Sequence, residues 1–482
     1  MNPMPPPCHP STARRIWLAA LVVFWIGCVA VSLLICGDGF LHPETYSFLP
    51  HYLSDRPPLL LIFDNQITDW NNYQARELSF LFDWLDAHFI AASCHRGLVH
   101  FFSASHYLLL LVAGLSLWQI ATRHLALPRP AAFALVAMLW TCPTAMLYGS
   151  FYRSAKVALA CMALLTIWAW FAARDGQARF ARSRTLLFAL AAVAMPLCDK
   201  LGLLFLCGLS VLLVHQAAVR RTPADRRLLV AGLGALLLAW SYQSWIGPAI
   251  VRHLLGYQVN ADHLALSAGK LADPRFLATV FGGAAIFTLD SFRVPLGRLP
   301  AGVALLAAAF MCREFARFGP PARPRWLGGG WLFAGLALFI TATFAAMLFV
   351  FPQMFSNEHR RFYYPMPAAS LWLVAAGLAL ASHLRRHPQN SRLVALLLLA
   401  LVMGNFFDLQ ADRFLLHHGK YQPCVENATR VRNALLGRDP AAAGITPAMA
   451  AALLPKAPYF RDAVPPSLDL DRIFLCLRSQ SK

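Results

Sequence analysis

The chain has 482 residues, of which 58% are hydrophobic and only 13% are charged, with a mean hydropathy of +0.52. A soluble protein of this length carries far more charged surface, so the composition excludes a soluble globular fold. Lys and Arg outnumber Asp and Glu by 42 to 23, giving a net charge of +19. We attribute this excess to cations retained on cytoplasmic loops, and we expect no nucleic-acid partner.

The apolar residues fall in uncharged runs about as long as a helix needs to cross a hydrocarbon layer ~30 Å thick. The first run, Ile16–Cys36, is too long for a signal-peptide core and lacks a clear small-residue cleavage site, so we interpret it as a retained span. The sequence therefore predicts an all-α polytopic membrane protein with about eleven transmembrane helices, at 16–36, 101–121, 131–148, 156–173, 185–198, 201–217, 228–246, 299–312, 331–351, 366–383 and 392–408.

Arginine clusters orient these spans. Arg14 and Arg15 precede the first span, and cationic residues are retained on the cytoplasmic side of a membrane. If the chain crosses at every predicted span, each later basic cluster falls on that same side: 123–129, 174–184, 220–227, 313–325 and 385–392. We therefore predict a multi-pass protein of a bacterial inner membrane, with a cytoplasmic N-terminus and a periplasmic C-terminus.

Five regions follow from this topology: a cytoplasmic tip (1–15), a seven-helix module (16–246) that includes periplasmic loop 37–100, a periplasmic loop (247–298), C-terminal membrane helices (299–408) and a small periplasmic domain (409–482). Residues 276–289 are apolar but short and Gly-rich. We interpret them as re-entrant or interfacial, because a full span there would place the basic 313–325 loop outside. In an oxidising periplasm Cys424 and Cys476 could form a disulfide; two unpaired thiols are the alternative.

The first periplasmic loop is acidic. It holds eight of the 23 acids of the chain, among them Asp38, Asp64 and Asp69. Within it, Tyr73–Ile90 has apolar residues at helical spacing with acids opposite, which predicts an amphipathic helix on the membrane surface. Asp38 follows the first span at headgroup depth, where a partly desolvated carboxylate can act as a base on a membrane-bound substrate. The alternative is that Asp38 only ends the helix.

The shorter external turns are cationic instead, against the usual charge rule, which indicates that the cations serve a task. Arg and Lys at headgroup level are suited to binding a lipid-linked phosphate, and the neighbouring aromatic side chains could stack on a sugar or anchor at the interface. The alternative is that they contact phospholipid headgroups or pair with Asp199 and Glu358. The candidate phosphate ligands are Arg153, Lys156, Lys200, Arg360 and Arg361, and the aromatic candidates are Tyr152, Tyr363 and Tyr364.

This layout resembles the GT-C superfamily of polyprenyl-phosphate-sugar-dependent glycosyltransferases. Asp38 matches the position of the catalytic acid, Tyr73–Ile90 resembles a surface helix, and the first seven spans resemble the seven-helix module of the family. Two departures are the isolated Asp38, in place of paired acids, and the small external tail. The resemblance implies sugar transfer from a polyprenyl-phosphate donor to a glycan, lipid or protein acceptor at the periplasmic face. Asp38 would be the general base, with Asp64 and Asp69 as reserves.

The same resemblance implies that the phosphate ligands stabilise the leaving group and that the anomeric centre inverts. Some relatives use a divalent cation, so the resemblance leaves one open here, although the sequence shows no convincing ligand set; no other cofactor is assigned. Two other functions stay open. An O-antigen polymerase or ligase usually has both termini cytoplasmic and its main external loop late in the chain. A lipid-linked-sugar transporter or flippase would need more charged residues within its spans.

Overall fold

The computed structural model describes residues 10–36, 51–53, 55–64, 75–95, 103–142, 145, 155–175, 181–256, 273–297, 301–317, 329–350 and 364–418. Within these ranges all regular structure is helical. The helices are α1 (Pro10–Cys36), α2 (Pro58–Phe63), α3 (Glu77–His95), α4 (Ala104–Gln119), α5 (Arg129–Thr141), α6 (Ala155–Asp175), α7 (Ala181–Cys198), α8 (Leu201–Arg220), α9 (Pro223–Ser241), α10 (Gly247–Leu255), α11 (Pro274–Arg293), α12 (Ala301–Ala316), α13 (Gly329–Val350), α14 (Pro365–Arg386) and α15 (Ser391–His418).

The multi-span helical class predicted from composition is confirmed. In the described part of the chain, nine helical stretches are long and apolar enough to cross a membrane, and two shorter apolar helices lie at Arg129–Thr141 and Phe333–Phe349. Eight of the nine coincide with predicted spans, and the ninth is Pro274–Leu296. The exact number of crossings stays a prediction.

One apolar core joins most of the helices. It contains Trp140, Leu164, Phe287 and Trp372, together with many alanines that let helix backbones approach closely. α6 packs against α4, α7 and α14, while α5 packs against α4 and α15. Large apolar side chains such as Val211 and Leu306 are exposed on the outside of the bundle, as expected of helices that face lipid.

Side-chain contacts divide the helix ends into two sets. At one end, Lys156 at the start of α6 contacts Asp199 after α7 and Tyr364 before α14. At the opposite end, Arg174 near the end of α6 pairs with Asp225 of α9 at 3.1 Å. We call the first of these the Asp199 end. We call the second the Glu314 end, because Glu314 of α12 pairs there with Arg386, at the opposite end of α14 from Tyr364.

α11 lies at the Asp199 end. The ring of its Phe287 is 6.0 Å from the ring of Tyr364, and the Pro295 carbonyl that follows it accepts from Asn405. α12 then runs from the Asp199 end to the Glu314 end. Residues 276–289, interpreted from the sequence as re-entrant or interfacial, all lie within α11. α11 is nevertheless a continuous helix of 20 residues, longer than the sequence pattern suggested. Its membrane placement stays a prediction.

A helix, α3, is present where the sequence predicts an amphipathic one, and its place on the membrane surface stays a prediction. α3 begins at Glu77, and its inward stripe contains the acids: Glu77 is 8%, Asp83 1% and Asp86 2% exposed, whereas Leu85 and Phe89 are 46% and 44% exposed. Asp86 turns inward because the start of α4 offers it hydrogen-bond donors, which the spacing of residues in the sequence cannot show.

Candidate anion-binding site at the Asp199 end

A tight turn between α7 and α8 carries the first two residues of the site, Asp199 and Lys200. α8 begins immediately after them, and the Asp199 carboxylate accepts from the Leu201 backbone N–H at 3.0 Å. Gly202 makes the turn feasible, because a Cβ at this position would lie 2.3 Å from the backbone carbonyl of Met195. Local backbone geometry therefore holds the side chain of Asp199 between the end of α7 and the start of α8.

Two cations from other parts of the chain converge on this carboxylate. Lys156 Nζ lies 2.5 Å from Asp199 Oδ2, and Arg76 Nη2 lies 3.4 Å from the same oxygen. Lys156 is 5% exposed and Asp199 is 1% exposed. Burial alone would raise the pKa of Asp199, but the charges of Lys156 and Arg76 lower it below its ordinary value. Asp199 is therefore a permanent anion.

Lys200 adds a third cation. Burial and the neighbouring Arg76 lower the pKa of Lys200 to about 8, against an opposing effect of Asp199. Its ammonium makes no hydrogen bond or ion pair with any residue that the structure describes. Three cations around one carboxylate leave a local surplus of positive charge in a largely buried setting, where an anionic ligand is bound more strongly than at an open surface.

Tyr364 completes the cluster. Its ring lies 4.2 Å from Lys156 Nζ, close enough for a cation–π interaction, and the side chain is 9% exposed. Tyr364 immediately precedes α14, so the start of that helix is fixed against the start of α6. We call Arg76, Lys156, Asp199, Lys200 and Tyr364 the Asp199 cluster.

Arg76 reaches the cluster through an unusual backbone conformation. The preceding residue, Ala75, has φ 46°, in the left-handed region that non-glycine residues rarely occupy, and it is buried against Val251 of α10. Such conformations persist only where surrounding packing enforces them, often at functional sites. The contact between Ala75 and α10 therefore helps to direct Arg76 toward Asp199.

The structure brings together three of the residues predicted from sequence: Lys156, Lys200 and Tyr364. The alternative that we left open, pairing of an external cation with Asp199, holds for Lys156. Arg76 and the organising role of Asp199 were missed. In the sequence, Arg76 resembles an ordinary counter-charge within an acidic helix, and only the fold shows that it reaches the turn after α7.

Asp64, a reserve catalytic residue, has a different partner. It follows α2, is 7% exposed, and accepts from Arg56 Nη1 at 2.7 Å. His51 lies nearby; burial lowers the pKa of this histidine. The remaining predicted residues lie outside the described part of the chain: Asp38, Asp69, Tyr152, Arg153, Arg360, Arg361, Tyr363, Cys424 and Cys476.

The surface helix α3 is fixed to the bundle beside the cluster by Asp86. This carboxylate accepts from the backbone N–H of Ser105 at 2.8 Å and from the hydroxyls of Ser103 and Ser105 at the start of α4. Burial raises the pKa of Asp86 to about 6, even though these hydrogen bonds oppose the rise. Because Arg76 directly precedes α3, the same helix links Asp86 to the Asp199 cluster.

The described residues contain no group of three or more His, Cys, Asp or Glu side chains able to hold a metal ion. Asp38 and Asp69, whose carboxylates could serve as metal ligands, are outside the residues to which this observation applies. Use of a divalent cation therefore stays an open expectation of the resemblance.

No family model matches the sequence, and no curated protein matches it. Among solved structures, the chain is similar to the crystal structure of ArnT from Cupriavidus metallidurans bound to undecaprenyl phosphate, with 14% sequence identity, 78% of each chain covered and a TM-score of 0.33. At that identity and TM-score the likeness carries no information about catalytic residues or substrate. Membership of the GT-C superfamily stays a proposal.

Proposed function

We propose that this protein is a membrane glycosyltransferase that moves a sugar from a polyprenyl-phosphate-linked donor to an acceptor at the outer face of a bacterial inner membrane. The observation that carries the proposal is the Asp199 cluster, where three cations surround one buried carboxylate. A phosphate monoester or diester supplies the negative charge that this surplus lacks. The GT-C-like layout of the sequence supports the same substrate class.

In the proposed reaction the acceptor hydroxyl oxygen attacks the anomeric carbon, and the bond from that carbon to the phosphate oxygen breaks. The proton of the hydroxyl passes to a carboxylate, for which Asp38 is our candidate. Polyprenyl phosphate leaves with an additional negative charge. Arg76, Lys156 and Lys200 are the candidates to stabilise that charge as it develops, and direct displacement inverts the anomeric centre.

Lys200 is the most informative of these three residues. Lys156 and Arg76 already contact Asp199, so their charges are partly compensated before a ligand binds. The Lys200 ammonium has no such partner among the described residues, and its pKa is lowered to about 8. A phosphate beside it would favour the charged form and raise that pKa.

The proposal is tested with purified full-length protein, a polyprenyl-phosphate pentose or hexose, and a lipid or glycan acceptor. Release of free polyprenyl phosphate, measured by mass spectrometry, distinguishes a transferase from a transporter. Lys200→Gln is expected to reduce polyprenyl-phosphate binding about 10- to 100-fold, as loss of one charged contact of roughly 1.5–3 kcal/mol implies. Asp38→Asn is expected to abolish release while leaving binding intact.

The matched control is Arg252→Gln, which removes an exposed cation of α10 at the same end of the bundle. It should leave binding and turnover within twofold of the unmodified protein. Equal losses in the Arg252 and Lys200 variants would indicate a nonspecific charge effect and contradict a defined phosphate site. Transport of an intact lipid-linked sugar without release of polyprenyl phosphate would favour the flippase alternative.

A further inference from the structure

At the Glu314 end, α12 finishes with a second group of cations around one acid. Glu314 is 2% exposed and pairs with Arg386 Nη2 at 2.6 Å. Arg386 is largely saturated, because it also donates to the hydroxyl and the carbonyl oxygen of Ser382. His383 Nδ1 lies 3.9 Å from the same carboxylate. Glu314 and Arg386 thus form a hydrogen-bonded ion pair that joins α12 to α14.

Arg313 and Arg317 face the same carboxylate but do not form hydrogen bonds with it. Arg313 Nε and Arg317 Nη1 lie 3.9 and 3.6 Å from Glu314 Oε1, beyond ordinary hydrogen-bond distance. Their side chains are 63% and 46% exposed, and neither guanidinium makes a hydrogen bond with any residue in the described ranges. Two guanidinium groups, each with five N–H donors, are therefore available on one side of α12.

The spacing of these arginines fits one tetrahedral anion. Arg313 lies in the last turn of α12, Arg317 follows the last residue of this helix, and both guanidinium groups lie within 4 Å of the same Glu314 oxygen. A phosphate between them can accept from both guanidinium forks, which is the geometry that arginine favours. Glu314 beneath them attracts both side chains to the same side, so part of the ordering needed for binding is already present.

The same face of α12 continues as an apolar surface. Leu306 lies two helical turns before Arg313 on this face and is 71% exposed, and Leu305 beside it is 64% exposed. An anion bound by Arg313 and Arg317 is thus adjacent to a surface suited to acyl chains. A free anion has no use for that surface, whereas a phospholipid uses both parts.

We propose that Arg313, Arg317 and the exposed face of α12 form a binding site for an anionic phospholipid. The phosphate lies in the fork of the two arginines, and the acyl chains lie along Leu305 and Leu306. Basic residues at a helix end beside exposed apolar surface are a recurrent lipid-headgroup arrangement. The proposal does not depend on the transferase activity, because this site is at the opposite end of the bundle.

The test compares the unmodified full-length protein with the double variant Arg313→Gln/Arg317→Gln. Each protein is delipidated in detergent and titrated with phosphatidylglycerol, phosphatidylcholine or inorganic phosphate. Bound lipid is counted by native mass spectrometry. The matched control is Arg226→Gln/Arg227→Gln, which removes two exposed cations from α9 at the same end and changes net charge equally.

We expect phosphatidylglycerol to bind the unmodified protein and the α9 control equally, and to bind the α12 variant at least fivefold more weakly. Phosphatidylcholine should bind all three alike. Equal weakening in both double variants would overturn the proposal, because it would show an unspecific charge effect. Inorganic phosphate displacing the lipid at equal concentration would also overturn it, since the apolar face would then contribute nothing. Arg313→Lys/Arg317→Lys should retain part of the binding, which separates lost charge from lost fold.

Discussion

The two ends of the bundle each place one buried carboxylate among several cations, but they differ in where those cations lie. At the Asp199 end the side chains of Lys156 and Arg76 are 6% and 18% exposed; at the Glu314 end those of Arg386, Arg317 and Arg313 are 34%, 46% and 63% exposed. A cation buried with its partner cannot turn to water when the partner is removed, whereas an exposed one can. The same charge pattern should therefore stabilise the protein very differently at the two ends.

Isosteric neutralisation of the two acids tests this difference and carries the largest expected effect. Asp199→Asn removes the carboxylate charge that pairs with the buried Lys156 and should cost about 3–5 kcal/mol of stability. Glu314→Gln should cost no more than about 1 kcal/mol, because its arginines can be solvated. Thermal unfolding of the purified proteins in detergent measures both. The comparison fails if the two variants lose equal stability.

A double variant sharpens the same result. In Asp199→Asn/Lys156→Met no buried charge is left unpaired within the Lys156–Asp199 contact, so much of the stability lost in Asp199→Asn should return. Arg76 stays beside the neutral amide, but it is less buried than Lys156 and can reorient. If the double variant is no more stable than Asp199→Asn, the stability lost in Asp199→Asn comes from the turn between α7 and α8 rather than from the broken ion pair.

The turn itself gives the next effect. A Cβ at Gly202 would collide with the backbone of Met195 at 2.3 Å, so Gly202→Ala should cost about 2–3 kcal/mol and disturb Asp199. A Cβ added at Gly234 in α9 would meet nothing within 4 Å, and Gly234→Ala is the matched control. That control should be neutral or stabilising by up to about 1 kcal/mol. Melting temperatures that fall equally in both variants would contradict a close approach at Gly202.

These contrasts also define what sequence alone could supply. Apolar runs of membrane-spanning length indicated the helical class, and Lys156, Lys200 and Tyr364 could be chosen because external cations and aromatics in short turns are unusual. Arg76 could not be chosen, since its role depends on a left-handed backbone at Ala75 and on packing against α10. The inward orientation of the acids of α3 could not be predicted either, because periodicity identifies a helix face but not the hydrogen-bond donors opposite it.

The smallest effect concerns Asp86, which fixes α3 to the start of α4 at the Asp199 end. Its folded pKa of about 6 lies above the ordinary value of 3.8, so the folded state binds the proton more tightly than the unfolded state does. The stability that this proton contributes is complete below pH 3.8 and is lost as the pH rises through 6. Between pH 5 and pH 7.5 the loss amounts to roughly 1.4 kcal/mol.

Asp86→Asn is the reference for this pH dependence, because it removes the titrating group while keeping an oxygen that accepts from Ser103 and Ser105. The melting temperature of the unmodified protein, relative to this variant, should therefore fall between pH 5 and pH 7.5. A difference between the two proteins that is constant with pH would show that Asp86 is ionised throughout, held by its hydrogen bonds rather than by a proton.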